Sequence, residues 1–157
     1  MRVNSRSRPS RPGLAIVEFA LIAPIMVTVL IGLWEVARMV EVQQYLTNAA
    51  REGARQISTG AKSTAQGQQT VVDYLKLKGI TAVVANVTVT SVSNPGNTDP
   101  TTATQLDQWR VSVTIPFSSV RWIIMNQVTS VSNLTASADW YSMKDVPLAV
   151  SGTIPLN

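Results

Sequence analysis

The longest hydrophobic feature of the chain is also its first. Residues 13–34 read Gly-Leu-Ala-Ile-Val-Glu-Phe-Ala-Leu-Ile-Ala-Pro-Ile-Met-Val-Thr-Val-Leu-Ile-Gly-Leu-Trp, with Glu18 as their one ionisable group. A helix needs about 20 mainly apolar residues to cross a bilayer, so 14–34 reads as a transmembrane helix. Trp34 suits the outer headgroup level. Past Trp34 the pattern turns from continuous to periodic. Val36, Met39, Val40, Leu46, Ala50, Gly53, Ala54 and Ile57 recur at helical spacing among Glu35, Arg38, Glu41, Arg51, Glu52 and Arg55. That predicts a helix with one buried stripe. Glu35–Arg38 and Glu52–Arg55 are three apart and predict ion pairs on the exposed side. No strong stop comes before Ser58-Thr59-Gly60. A helix over 14–57 would reach about 66 Å at 1.5 Å per residue. Pro24 predicts a kink within it, of a kind that transmembrane helices tolerate.

The remainder alternates between two periods. Residues 61–79 predict a second helix: Ser63 and Gln66 have capping-box spacing, Val71, Val72 and Leu75 form an apolar stripe, and Gly79 stops it. Residues 82–93 alternate through Val87 and Val89 and predict a strand. The segment Asn94-Pro-Gly-Asn-Thr-Asp-Pro-Thr-Thr-Ala-Thr has loop composition. Residues 108–117 are the clearest strand, with Trp109, Val111, Val113 and Ile115 on one side, and Pro116 ends it or marks an edge. Residues 118–128, with Trp122, Ile123, Ile124 and Met125, are too short to span a bilayer and read as a helical turn or packed loop. Leu134, Ala136, Ala138 and Trp140 alternate through a last strand over 133–141, and the tail 146–157 reads as irregular. The expected fold class is α+β: a long N-terminal transmembrane helix continuing into a stalk, a second short helix, and a small antiparallel sheet of about three strands.

Charge sharpens the picture at one end only. The net charge is +4, from 13 basic and nine acidic residues. Arg2, Arg6, Arg8 and Arg11 all precede Gly13, and no acid accompanies them. The rest of the chain is therefore neutral overall. Basic residues are retained on the cytoplasmic side, which places residues 1–13 inside as a basic leader and 35–157 outside as an extracytoplasmic domain. No basic patch with interleaved aromatics follows, so nucleic acid is not an expected partner. The chain has no cysteine and no histidine, which removes disulfides, thiolate or imidazole zinc sites and His-dependent triads. A cleavable secretory signal fits poorly, since its apolar region is about 7–15 residues long and this run is longer.

A basic leader, a glycine and an apolar helix with glutamate as its fifth residue resemble a type IV prepilin signal. That resemblance implies cleavage between Gly13 and Leu14 by a membrane prepilin peptidase. Glu18 would then be position +5 of the mature chain. The alternative is an uncleaved signal anchor. The stretch Ala15-Ile-Val-Glu-Phe-Ala-Leu21 together with Asn48-Ala49-Ala50-Arg51-Glu52-Gly53-Ala54-Arg55 resembles the TadE-like family, over roughly residues 12–57. Ile16 departs from the smaller residues common there. The resemblance implies a minor pseudopilin of the tight-adherence (Tad) pilus. Its expected partners are other minor pseudopilins, the major pilin, the inner-membrane pilus platform and the lipid bilayer. It implies no cofactor and no enzymatic activity. It also implies that Glu18 pairs with the freed N-terminal amine of a subunit; the alternative is a glutamate resting at the headgroups. A different class of function, an anchored extracytoplasmic binding module, fits the same topology.

The remaining candidates are weak. Ala49, Ala50, Gly53 and Ala54 let another backbone approach closely, and the chain's own sheet or second helix is the favoured neighbour over another subunit. Asp73, Asp99, Asp107, Asp139 and Asp145 are scattered and make no acid–base pair. Asn94–Asp99 lacks calcium-loop spacing, so no metal is expected.

Overall fold

The computed structural model describes residues 12–121 and 131–144. The leader 1–11, residues 122–128 of the short apolar segment and the tail 146–157 lie outside the described residues.

One helix dominates. α1 spans Pro12–Ser58 without interruption, Pro24 included. Pro24 cannot donate a backbone hydrogen bond. Thr28 Oγ1 donates to the Pro24 carbonyl at 2.8 Å. α2 spans Thr64–Leu77 and starts as its capping signature predicts: Ser63 accepts from the Gln66 N–H, and Gln66 Oε1 accepts from the Ser63 N–H at 3.0 Å. It ends at Gly79, whose φ of +73° is open to glycine. There the Ile80 N–H returns to the Leu75 carbonyl at 3.0 Å.

Three strands form one antiparallel sheet in the order β1-β2-β3: Val87–Ser91, Gln108–Pro116 and Asn133–Tyr141. The first is shorter than predicted. Val84–Asn86 form a 3₁₀ turn instead, because the Asn86 side chain accepts from the Val83 N–H at 3.0 Å and curls the chain before it can extend. The third strand has the predicted bounds. In β2, the Val92 N–H donates to the Gln108 carbonyl and the Phe117 N–H to that of Ser132. Even-numbered β2 residues thus turn their backbone toward β1, odd-numbered ones toward β3. Pro116 faces the β1 side three residues past the last pairing there, Val87↔Val113, where no strand needs its missing N–H.

The two helices cover one face of the sheet. The core joins Val42, Leu46, Ala49, Ala50, Ala54 and Ile57 of α1 to Val71 and Leu75 of α2 and to Trp109, Val111, Val113, Ile115, Leu134 and Ala136 of the sheet. Gln43 Nε2 donates to the Thr135 carbonyl at 2.8 Å, and the Met143 N–H donates to the Ser58 carbonyl at 2.7 Å. Two such anchors, at either end, show that α1 runs alongside β3 in the same direction. Gln68 Nε2 of α2 reaches the Val87 carbonyl of β1 in the same way, at 2.8 Å. The opposite face is polar, with Thr88, Thr90, Arg110, Ser112, Thr114, Thr135, Ser137 and Asp139.

The small stripe on α1 is covered by this chain itself, as the favoured reading had it. A β-carbon on Gly53 would collide with Val71 Cγ2 of α2 and lie 3.5 Å from Val111 Cγ1 of β2. One on Gly67 would come within 2.5 Å of Ile57 Cγ2. The helices thus approach through a glycine on each side. Gly53→Ala should therefore destabilise the head by about 1–3 kcal/mol through overpacking. In thermal melts of the detergent-solubilised chain, Val71→Ala should cost less in the Gly53→Ala background than alone.

The uncovered helix and its junction with the head

The lower part of α1 lies outside the core. No residue from Gly13 to Trp34 is buried, and this segment is long and apolar enough to cross a membrane. Glu18 is exposed on it and forms no ion pair among the described residues. Gly13 lies on α1, where an added β-carbon would meet nothing within 4 Å. The sequence suggests an extended chain at Pro12; the described helix instead includes it.

Above Trp34 the helix enters the head and its charges sort by side. Glu35 is not on the exposed side as predicted; only 4% of it is accessible. Arg38 pairs with Glu41 at 2.8 Å and donates from Nε to the Val120 carbonyl at 3.1 Å. Tyr45 donates to the same Glu41 carboxylate at 3.0 Å. The hydrogen bonds from Arg38 and then Tyr45 hold the Glu41 carboxyl below its ordinary range, and Glu41 in turn raises the Tyr45 hydroxyl. The predicted Glu52–Arg55 pair is present at 2.7 Å, and with Gln56 it lowers the Glu52 carboxyl.

The buried stripe differs from the predicted one in two places. Val36 and Val40 remain 43% and 48% accessible, whereas Val42 is fully buried. Residues 35, 39, 42, 46, 49 and 53 recur at a 3.5-residue spacing, which places Val42 inward and Val40 outward. That spacing was available in the sequence but passes through a glutamate, which disguises it. The stretch Asn48–Arg55 is split between two environments. Ala49, Ala50, Gly53 and Ala54 are buried; Asn48, Arg51 and Arg55 are exposed, and Glu52 lies between. Its inner half is therefore packing, and its outer half is a polar surface. Among the described residues, no group of three or more acidic side chains is placed to hold a metal ion.

Across the sheet, Arg110 pairs with Asp139 at 2.7 Å, and this guanidinium lowers the Asp139 carboxyl. Glu41, Glu52 and Asp139 thus all titrate below their unfolded values in the folded head. Their stabilisation is complete above the ordinary carboxylate range near about pH 4 and is lost as pH falls through the depressed folded values. Thermal melts should show the head weakening only below about pH 4, with a smaller acid-dependent fall in Asp139→Asn.

Neither the curated proteins nor the solved structures contain a significant match to this chain. Residues 13–55 match the family model of the TadE-like protein, which places the family signature on the uncovered helix and on its continuation into the head.

Proposed function

We propose that this chain is a minor pseudopilin, a structural or initiating subunit of a Tad pilus. It enters the inner membrane with residues 1–13 inside and 35–157 outside. A prepilin peptidase cuts between Gly13 and Leu14. The mature subunit then leaves the lipid sideways and packs its helix among those of other minor pseudopilins and the major pilin at the membrane platform. The observation that carries this reading is Glu18: one acid on an uncovered apolar helix, five residues into the chain that cleavage would release.

The physics asks for such a partner. A carboxylate in hydrocarbon is costly alone and tolerated when a cation neutralises it. A freed Leu14 amine on a neighbouring subunit is a cation placed at the corresponding depth. Pairing the two makes the assembled state lower in energy than the dispersed one without altering the helix. Asn48, Arg51 and Arg55 present a polar surface above it, available for contacts between heads. The proposal needs no catalytic group in this chain.

The second reading, an uncleaved anchored binding module, shares the topology and differs in two measurable respects. Intact mass and N-terminal sequencing of material from membranes with an active peptidase should give a start at Leu14; a start at Met1 in cells with normal pili would sink the pseudopilin reading. Glu18→Ala should insert normally yet lose assembly by at least about a hundredfold, since an ion left unpaired in a buried site costs about 3–5 kcal/mol. Unchanged assembly would favour the binding module.

A further inference from the structure

The end of the head nearest Trp34 carries apolar and basic side chains that the fold itself does not use. α2 runs antiparallel to α1: Gly67 approaches Ile57, Val71 approaches Gly53, and Lys78 Nζ lies 5.9 Å from the centre of the Tyr45 ring. The C-terminal end of α2 thus comes down toward Trp34. β1 starts at the same end. Its first residue, Val87, pairs with Val113, and Val113 pairs with Ala136, the neighbour of the Thr135 that Gln43 holds. Residues 76–84, Lys-Leu-Lys-Gly-Ile-Thr-Ala-Val-Val, join the two elements and form part of the underside of the head.

Ile80 of this segment is buried and Ala82 half-buried. Leu77, by contrast, is 85% accessible, and Val83 and Val84 are exposed beside it. Lys76 and Lys78 flank Leu77; both are exposed, and neither forms an ion pair among the described residues. Lys78 is steered by the faces of Tyr45 and Tyr74, at 5.9 and 5.8 Å. The acids near this end are already engaged. Glu35 is buried, Glu41 pairs with Arg38, and Asp73, a turn back along α2, accepts from Gln69 at 2.8 Å. The helix dipole accounts for a cation at the end of α2. It does not account for a bare leucine between two of them.

A surface of apolar tips set among unbalanced cations matches an anionic lipid surface, and α1 keeps one within reach. Trp34 to Tyr45 rises about 16 Å along the helix, of which the headgroup layer fills about 5–7 Å. The remaining gap of about 10 Å equals the Debye length in about 0.1 M salt, so the lysines feel the surface even when α1 stands upright. Tilting α1 toward α2, within the range of about 0–40° found for such helices, closes the gap. Tethering raises the effective concentration of the bilayer, so weak contacts suffice.

We propose that residues 76–84 are a lipid-docking surface: Lys76 and Lys78 meet the phosphates of an anionic bilayer, and Leu77, Val83 and Val84 rest in its headgroup layer. The head of the membrane-embedded chain thus lies down on the leaflet from which α1 emerges. Only the crossing of the membrane by residues 14–34 is required; neither cleavage after Gly13 nor a pilus enters into it.

The chain has no cysteine, so a single introduced thiol reports one position. The full-length chain with Thr81→Cys, an exposed polar position on this surface, is labelled with a fluorophore and reconstituted in nanodiscs that contain headgroup-spin-labelled lipid as quencher. Gln105→Cys is the reference, exposed at the opposite end of the head, where the Leu106 N–H meets the Ser142 carbonyl. The discs hold phosphatidylcholine alone or with phosphatidylglycerol. The expected result is strong quenching at position 81 and little at 105 with phosphatidylglycerol, and a fall at 81 without it or at high salt. Lys76→Gln with Lys78→Gln should lower the ratio of docked to undocked heads by about 25-fold, from about fivefold per lysine. Lys76→Arg with Lys78→Arg should preserve it. Quenching at 81 no greater than at 105, in discs that co-elute with the chain, overturns the docking surface and leaves the membrane-spanning helix standing. Failure of the chain to enter discs overturns both. Quenching at 81 that ignores phosphatidylglycerol and the two lysines overturns the anionic surface as partner. Protection of Thr81→Cys from a soluble maleimide that grows with copies per disc, without lipid quenching, assigns the surface to another copy and overturns the lipid.

Discussion

The structure depends on one helix whose two halves face different demands. α1 is continuous from Pro12 to Ser58, so the orientation of its lower half fixes that of its upper half. Below Trp34 no side needs to differ from another, and the sequence there is apolar all round. Above it the helix must show core residues on one side and water-compatible ones on another. The head can fold only where that asymmetry begins. Its sheet runs beside the upper half of α1, held at Gln43 and at Ser58, and the second helix closes in where Gly53 and Gly67 allow contact.

Much of this was legible because local chemistry and global packing agree. The capping box at Ser63, the stop at Gly79 and the alternation through β2 and β3 each have a short-range cause, and each is found where the residues put it. The misreadings share a different cause. Asn86 had the side chain to form a turn, but the alternation beyond it suggested that the strand began earlier. Glu35 looked like a surface charge by type and is buried by its place in the 3.5-residue series. Val36 and Val40 looked like core by type and are turned away from it. A residue's class predicts burial only where its neighbours' phase is already known, and at the junction of two environments the phase is what the sequence leaves open.

The candidate site was legible to a different degree. Gly13, Leu14 and Glu18 stand out by spacing alone, since an acid inside an apolar run has few innocent reasons to be there. The Asn48–Arg55 stretch stood out by resemblance, and only the structure divides it into packing and surface. Arg38, Glu41 and Tyr45 were not singled out as a group. Their linkage joins residues three and four apart on α1 to the Val120 carbonyl far along the chain, a contact that no local spacing announces.

The two glutamines at the margins of the sheet have a wider consequence. Gln43 and Gln68 each occupy an outward-facing carbonyl, on β3 and β1 respectively. Exposed sheet margins invite chains to stack by strand addition, a hazard that grows when many copies wait side by side in two dimensions. Each glutamine thus removes one outward-facing acceptor from the template on which a further strand would pair.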